Sequence, residues 1–216
     1  MATNLLEKYK QIIDSENDDE IWYSIKFNKY LERIDTFQTH NNIRGNILEI
    51  GVFRGLSFIP LRTLLKNDEC IVAIDLFDTY FNHELSKDMF IKNVIKVFEN
   101  LDNTIIITDN STNLSPDSLR INHYQYRIIS VDGGHDYSTV INDLNLSMNI
   151  LNHEGIIVVD DYNNTHWPEV KSGTDKFLED NRHMGGFSLY DCNKFLIGHK
   201  AHKTYQYVSQ KFNTQK

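Results

Sequence analysis

Cysteine is scarce in this chain of 216 residues: Cys70 and Cys192 are the full set, which excludes a disulfide framework and makes a reducing compartment the default. Both are expected to be small buried residues at strand positions. No apolar stretch approaches the roughly 18 residues that a membrane span needs. Met1-Ala2-Thr3-Asn4 has neither a basic flank nor an apolar core, so no signal peptide is expected, and a soluble cytoplasmic protein is. Positive charge is in deficit. A net charge of −8 runs against nucleic acid as the main partner, because binding phosphates needs a basic face. Repeats, low-complexity tracts and linkers are missing too, so residues 1–216 are expected to form a single domain. At 40% hydrophobic and 24% charged, the composition is globular and the chain is long enough to bury a core.

What is present is a series of short β-branched runs that each end in an acid. Ile47-Leu48-Glu49-Ile50-Gly51, Ile71-Val72-Ala73-Ile74-Asp75, Ile128-Ile129-Ser130-Val131-Asp132 and Ile156-Ile157-Val158-Val159-Asp160-Asp161 have the pattern of buried parallel strands. Strands are expected over 47–51, 70–75, 104–108, 127–132 and 156–160, with helices over 56–66, 84–101, 137–152 and 168–181 between them. Two earlier helices are expected over 4–14 and 20–35, where Asp18-Asp19-Glu20 puts acids at a helix start. Phe187-Ser188-Leu189-Tyr190 and Lys194-Phe195-Leu196-Ile197, joined by a short turn, favour an antiparallel hairpin. The fold expected is a three-layer α/β Rossmann-like sandwich with a mostly parallel seven-stranded sheet. Within it, 1–45 would be a helical lid, 46–199 the cofactor-binding core and 200–216 a polar tail.

In such a sheet, ligands sit past the carboxyl ends of the strands, so a terminal acid points at the ligand. Gly51 permits a tight turn and Gly55 lets the next helix start close to a ligand, but the middle glycine of a dinucleotide fingerprint is absent. That absence counts against an NAD-linked reductase. Asp75 closes the second strand, where an acid accepts the hydrogen bonds of a ribose diol, and Asp109 closes the third, where it can meet an adenine amino group. The bland alternative is that each acid only caps a turn or helix. Three in register favour a nucleoside.

Here the chain resembles the class I S-adenosylmethionine-dependent methyltransferases. Glu49, Gly51 and Gly55 stand in that superfamily's first motif, Asp75 at its ribose acid and Asp109 near its adenine position. Ser57 at the following helix start could bind the cofactor carboxylate or serve as a helix-terminal donor. Arg54 could pair with that carboxylate or bridge to Glu49.

Asp132 and the Asp160-Asp161 pair should converge, since the fourth and fifth strands are neighbours in this fold. Three packed carboxylates repel, and a hard divalent cation, Mg²⁺ before Mn²⁺ or Ca²⁺, would offset that. The arrangement is similar to metal-dependent O-methyltransferases acting on sugar hydroxyls of macrolide and aminocoumarin antibiotics. That resemblance implies Asp132, Asp160 and Asp161 as metal ligands and Asp132 and Phe77 as part of the cofactor site. Where that group carries a second aspartate as proposed base, this chain has Gly134, and His135 is the substitute. The function expected is methyl transfer to a hydroxyl of a small molecule, a sugar or glycoside. The alternatives are a metal-independent methyltransferase using His135, or a nucleoside-binding domain without turnover. Tyr162 and Trp167 could stack on the acceptor, and His166 lies in the same polar loop. Trp22, Tyr23, Phe27 and Tyr30 could pack against a second copy in a homo-oligomer. The other histidines have no i,i+4 spacing and are given no metal role.

Overall fold

The computed structural model describes residues 2–13, 26–77, 86–121 and 125–212. Seven strands form one sheet: β1 (Asn46–Ile50), β2 (Ile71–Asp75), β3 (Thr104–Thr108), β4 (Tyr126–Val131), β5 (Leu151–Asp160), β6 (Met184–Leu189) and β7 (Lys194–His199). Their order is β3-β2-β1-β4-β5-β7-β6. All neighbours pair parallel except β7, which runs antiparallel to β5 and β6. The order reverses between β1 and β4, which makes the crevice above them the topological switch point.

Two-residue alternation along each strand builds two cores. Ile47, Ala73, Ile128 and Val158 face one side, with α1 (Ala2–Ile13), α2 (Phe27–His40), α3 (Phe58–Arg62), α4 (Ser86–Phe98) and α7 (Lys203–Phe212). Leu48, Val72, Ile129 and Ile157 face the other, with α5 (Tyr137–Ile150) and α6 (Pro168–Asp180). Among the described residues no helix is long and apolar enough to cross a membrane. Cys70 and Cys192 are buried and form no disulfide.

Several expectations shift. The helix expected over 56–66 shortens to Phe58–Arg62, and β5 begins five residues early at Leu151. The segment expected as helix over 20–35 is helical from Phe27 to His40; its first part, with Ile21, Trp22, Tyr23 and Ile25, lies outside the described residues, as do Asp18-Asp19-Glu20. Phe27 and Tyr30 are buried inside this chain, so neither offers a surface to a second copy. The polar tail is mostly α7, an amphipathic helix that buries Val208 and Phe212. Phe212 meets Tyr30 edge to face at 5.0 Å, and Tyr207 stacks on Phe37 at 4.2 Å.

At the end of the sheet away from the crevice, Arg127 is fully buried and held by Glu69, Asp35, Gln38 and the Leu64 carbonyl. That network bolts α2 to the sheet. Its satisfied donors are what permit a guanidinium there.

Candidate active site

The crevice is floored by loops whose backbones leave the usual regions. Gly51 has φ +82°, and a Cβ on it would meet the Asp132 carbonyl oxygen at 1.9 Å, so only glycine fits between β1 and β4. Phe53, Phe77 and Asp161 are non-glycine residues at φ +44°, +48° and +55°, all at crevice-side strand ends.

Asp75 ties the first two loops together. Its Oδ2 accepts from the Phe53 N–H at 2.8 Å and its Oδ1 from the Phe77 N–H at 2.7 Å. Each oxygen keeps a second lone pair, the acceptor geometry a ribose diol needs. Phe77 therefore enters through its backbone, with its ring packed on Phe90. Asp109 is drawn into its own turn, where Oδ1 accepts from Asn110 N–H and the Asn113 amide.

Glu49 is fully buried, and neither of its oxygens completes a hydrogen bond of normal geometry. Burial pushes its carboxyl up to about 7, against the pull of the nearby Ser57 and Ser130 hydroxyls and Lys194. Ser57 makes no side-chain cap to α3. Arg54 is buried and its carbonyl accepts from Asn93 at 3.0 Å.

The expected carboxylate trio divides. Asp161 turns into the left-handed region, and its Oδ1 accepts from Asn164 at 3.0 Å and Asn193 at 2.9 Å. Its Oδ2 lies 3.3 Å from His135 Nε2, a buried atom that completes no hydrogen bond there. Burial raises the Asp161 carboxyl, but His135 and Asn164 outweigh it and hold the group below its ordinary value. Asp132, His135 and Asp161 each place one ligand atom within 4.8 Å of the others.

Asp160 is not in that group. Its Oδ1 accepts from the Asp161 N–H at 2.8 Å, and its Oδ2 is paired with the ammonium of Lys194. Of the expected metal ligands, Asp160 is the one placed apart, with a buried lysine that sequence reasoning missed standing at its carboxylate. Desolvation and Asp160 push Asp132 well above the carboxylate range, against Lys194.

His135 does not cap α5. Asp136 does, accepting from Ser138 and Thr139 N–H, and the Ser138 and Thr139 hydroxyls hold it down at about 2. The His135 ring instead stacks on Trp167 at 4.6 Å, and Trp167 remains 44% exposed over the crevice. Tyr162 packs inward on Phe195 at 3.9 Å, so it is structural rather than a stacking platform. The Asn164 side chain accepts from the His166 N–H at 3.0 Å, which folds His166 into the loop turn.

A family model described as "Methyltransferase domain" matches residues 48–162, from the first strand through Tyr162. The chain belongs to this family. It carries a methyltransferase domain, and the matched span holds every site residue named above except Asn164, His166, Trp167, Asn193, Lys194 and Phe195. Among solved structures, the O-methyltransferase NovP aligns with a TM-score of 0.62 at 17% identity, covering 82% of this chain and 80% of that one. CalS11, a TDP-rhamnose 3'-O-methyltransferase of calicheamicin biosynthesis, aligns with a TM-score of 0.61 at 15% identity over 92% and 94%. TomG from Streptomyces achromogenes, an O-methyltransferase in complex with SAM, gives 0.62 at 14% over 90% and 87%. At these identities the likeness is one of fold, the class I methyltransferase sandwich. A curated relative, uncharacterized protein R132 of Acanthamoeba polyphaga mimivirus, is 39% identical over 83 residues, 38% of this chain; the chain spans only 36% of that protein's length.

Proposed function

We propose that this methyltransferase moves a methyl group from S-adenosylmethionine to a hydroxyl of a small sugar-like acceptor, with a divalent cation held at Asp132 and Asp161. The observation that carries the reading is the gathering of Asp132, His135 and Asp161 ligand atoms within 4.8 Å at the switch point. Two carboxylates beside an imidazole nitrogen without a hydrogen bond fit a hard ion such as Mg²⁺, which is commonly held by one or two carboxylates and keeps its waters. The sugar-like acceptor is favoured by the named activity of CalS11 and by the exposed face of Trp167.

Bound together, donor and cation supply a sulfonium methyl and a more acidic acceptor hydroxyl. The chain's residues do the rest. Asp75 accepts the ribose diol, and Gly51 keeps the floor open to the donor. Glu49, raised to about 7 by burial, would be drawn to its ionised form by a cationic sulfonium beside it. His135 Nε2 takes the hydroxyl proton, Asp161 Oδ2 stabilises the resulting imidazolium, and the Trp167 stack fixes the ring's plane. In-line attack then depends on positioning.

The test is transfer of labelled methyl from S-adenosylmethionine to a panel of nucleotide sugars and glycosides, with Mg²⁺ or with EDTA. Label on a hydroxyl, lost in EDTA, is the expected result. Transfer that survives EDTA supports the metal-free route through His135, and a chain that binds no S-adenosylmethionine contradicts the reading outright. His135→Ala separates base from ligand: as base, its loss removes turnover and leaves Mn²⁺ affinity within about threefold.

A further inference from the structure

Lys194 opens β7 and sits directly across from Asp160 in the antiparallel β5–β7 register. It is 2% exposed, its ammonium is paired with Asp160 Oδ2, and it lies 5.7 Å from the centre of the Phe27 ring on α2. With the Asp161 N–H on Oδ1, both oxygens of Asp160 are engaged from inside the protein. The adjacent Asp161 is the reverse case: one oxygen is held by two side-chain amides and the other is presented beside Asp132 and His135.

We propose that Lys194 is the site's resident cation, holding Asp160 out of the metal-binding set and countering Asp132 and Glu49 from below. The Asp160-Asp161 pair is split by this lysine into one structural carboxylate and one ligand. Burial alone would discharge an ammonium; here Asp160, Asp132 and Glu49 outweigh burial and keep Lys194 charged. One fixed positive charge then lets four carboxylates share a crevice with a divalent ion that directly engages two. The inference rests on the proposed metal-assisted reading, and the experiment separates the two.

Mn²⁺ is titrated by calorimetry into the purified full chain, its Lys194→Met variant and the Asp160→Asn/Lys194→Met double variant. Removing the ammonium frees Asp160 and takes a like charge away from the ion, so Lys194→Met should bind Mn²⁺ about tenfold tighter or more. The double variant removes both partners of a buried pair, keeps the fold where the single variant fails to, and should match the unmodified chain within about threefold. Mn²⁺ affinity unchanged or weaker in folded Lys194→Met overturns the proposal. So does a double variant that binds Mn²⁺ more than about tenfold weaker than the unmodified chain, because Asp160 would then be a ligand. If the unmodified chain binds no Mn²⁺ while Lys194→Met does, the role of Lys194 stands and the metal-assisted reading falls. If neither binds, both fall.

Discussion

Asp75 holds two backbone N–H groups of the crevice floor at 2.8 and 2.7 Å, and its remaining lone pairs are those proposed to accept a ribose diol. Charge-assisted hydrogen bonds of this kind contribute about 1.5–3 kcal/mol each. Asp75→Ala should therefore weaken S-adenosylhomocysteine by at least about tenfold in calorimetry, and an unchanged affinity would remove Asp75 from the donor site. Glu49 carries a cost of the opposite kind. Its carboxyl is raised from 4.5 to about 7, so the fold favours the protonated form; stability is full below pH 4.5 and is lost as pH rises through 7. Glu49→Gln should consequently stabilise the protein in urea at pH 8, by about 3 kcal/mol at the upper limit, and leave it unchanged at pH 4.5. A gain that is the same at both pH values would contradict the assignment. At this scale the acids at strand ends were legible from the sequence, because strand endings can be seen in the β-branched runs. Lys194 was not legible: it is 34 residues from Asp160, and only antiparallel register brings the two together. The trace it left was a lysine opening the apolar run Lys194-Phe195-Leu196-Ile197.

Among the elements, α7 was the one hidden by composition. Lys203–Phe212 is polar on average, and its buried positions Thr204, Val208 and Phe212 recur every four residues, a stripe too narrow to stand out. The helix covers one core and is clasped by α2, so Phe212→Ala should cost about 3–5 kcal/mol in urea unfolding; a cost below about 1 kcal/mol would show that α7 is peripheral. The turn into α7 also closes a histidine stack. His153 and His202 rings lie 3.6 Å apart, His202 and His199 4.0 Å, and His183 stands 5.2 Å from His199. No sequence spacing announces this group, because His153 comes from β5, His183 from just before β6 and His199 from β7. Burial and the three neighbouring imidazoles lower His199, with Lys200 in the same turn and the Glu154 carboxylate of β5 accepting from the Thr204 N–H. The unfolded chain then takes up the proton first, so stability is full above pH 6.5 and falls below it. Urea midpoints at pH 7.5 and 5.5 should converge in His202→Ala; an unaltered pH slope would dismiss the stack.

For the whole molecule, alternation of apolar strands with helical stripes was enough to foresee a seven-stranded sandwich, and the hairpin pattern its antiparallel edge. Order β3-β2-β1-β4-β5-β7-β6 is what places Asp75, Asp132 and Asp161 along one crevice. Packing, not pattern, decided which of the Asp160-Asp161 pair turned toward it, since that choice depends on the left-handed turn at Asp161 and on Lys194. The proposed chemistry requires a divalent ion seated between Asp132 and Asp161 beside the methyl donor. A crystal grown with S-adenosylhomocysteine and Mn²⁺, measured for anomalous scattering, tests it most directly. One peak touching Asp132 and Asp161 while Asp160 stays on Lys194 is the result predicted. A peak on Asp160, or a bound nucleoside with no peak in the crevice, would contradict it.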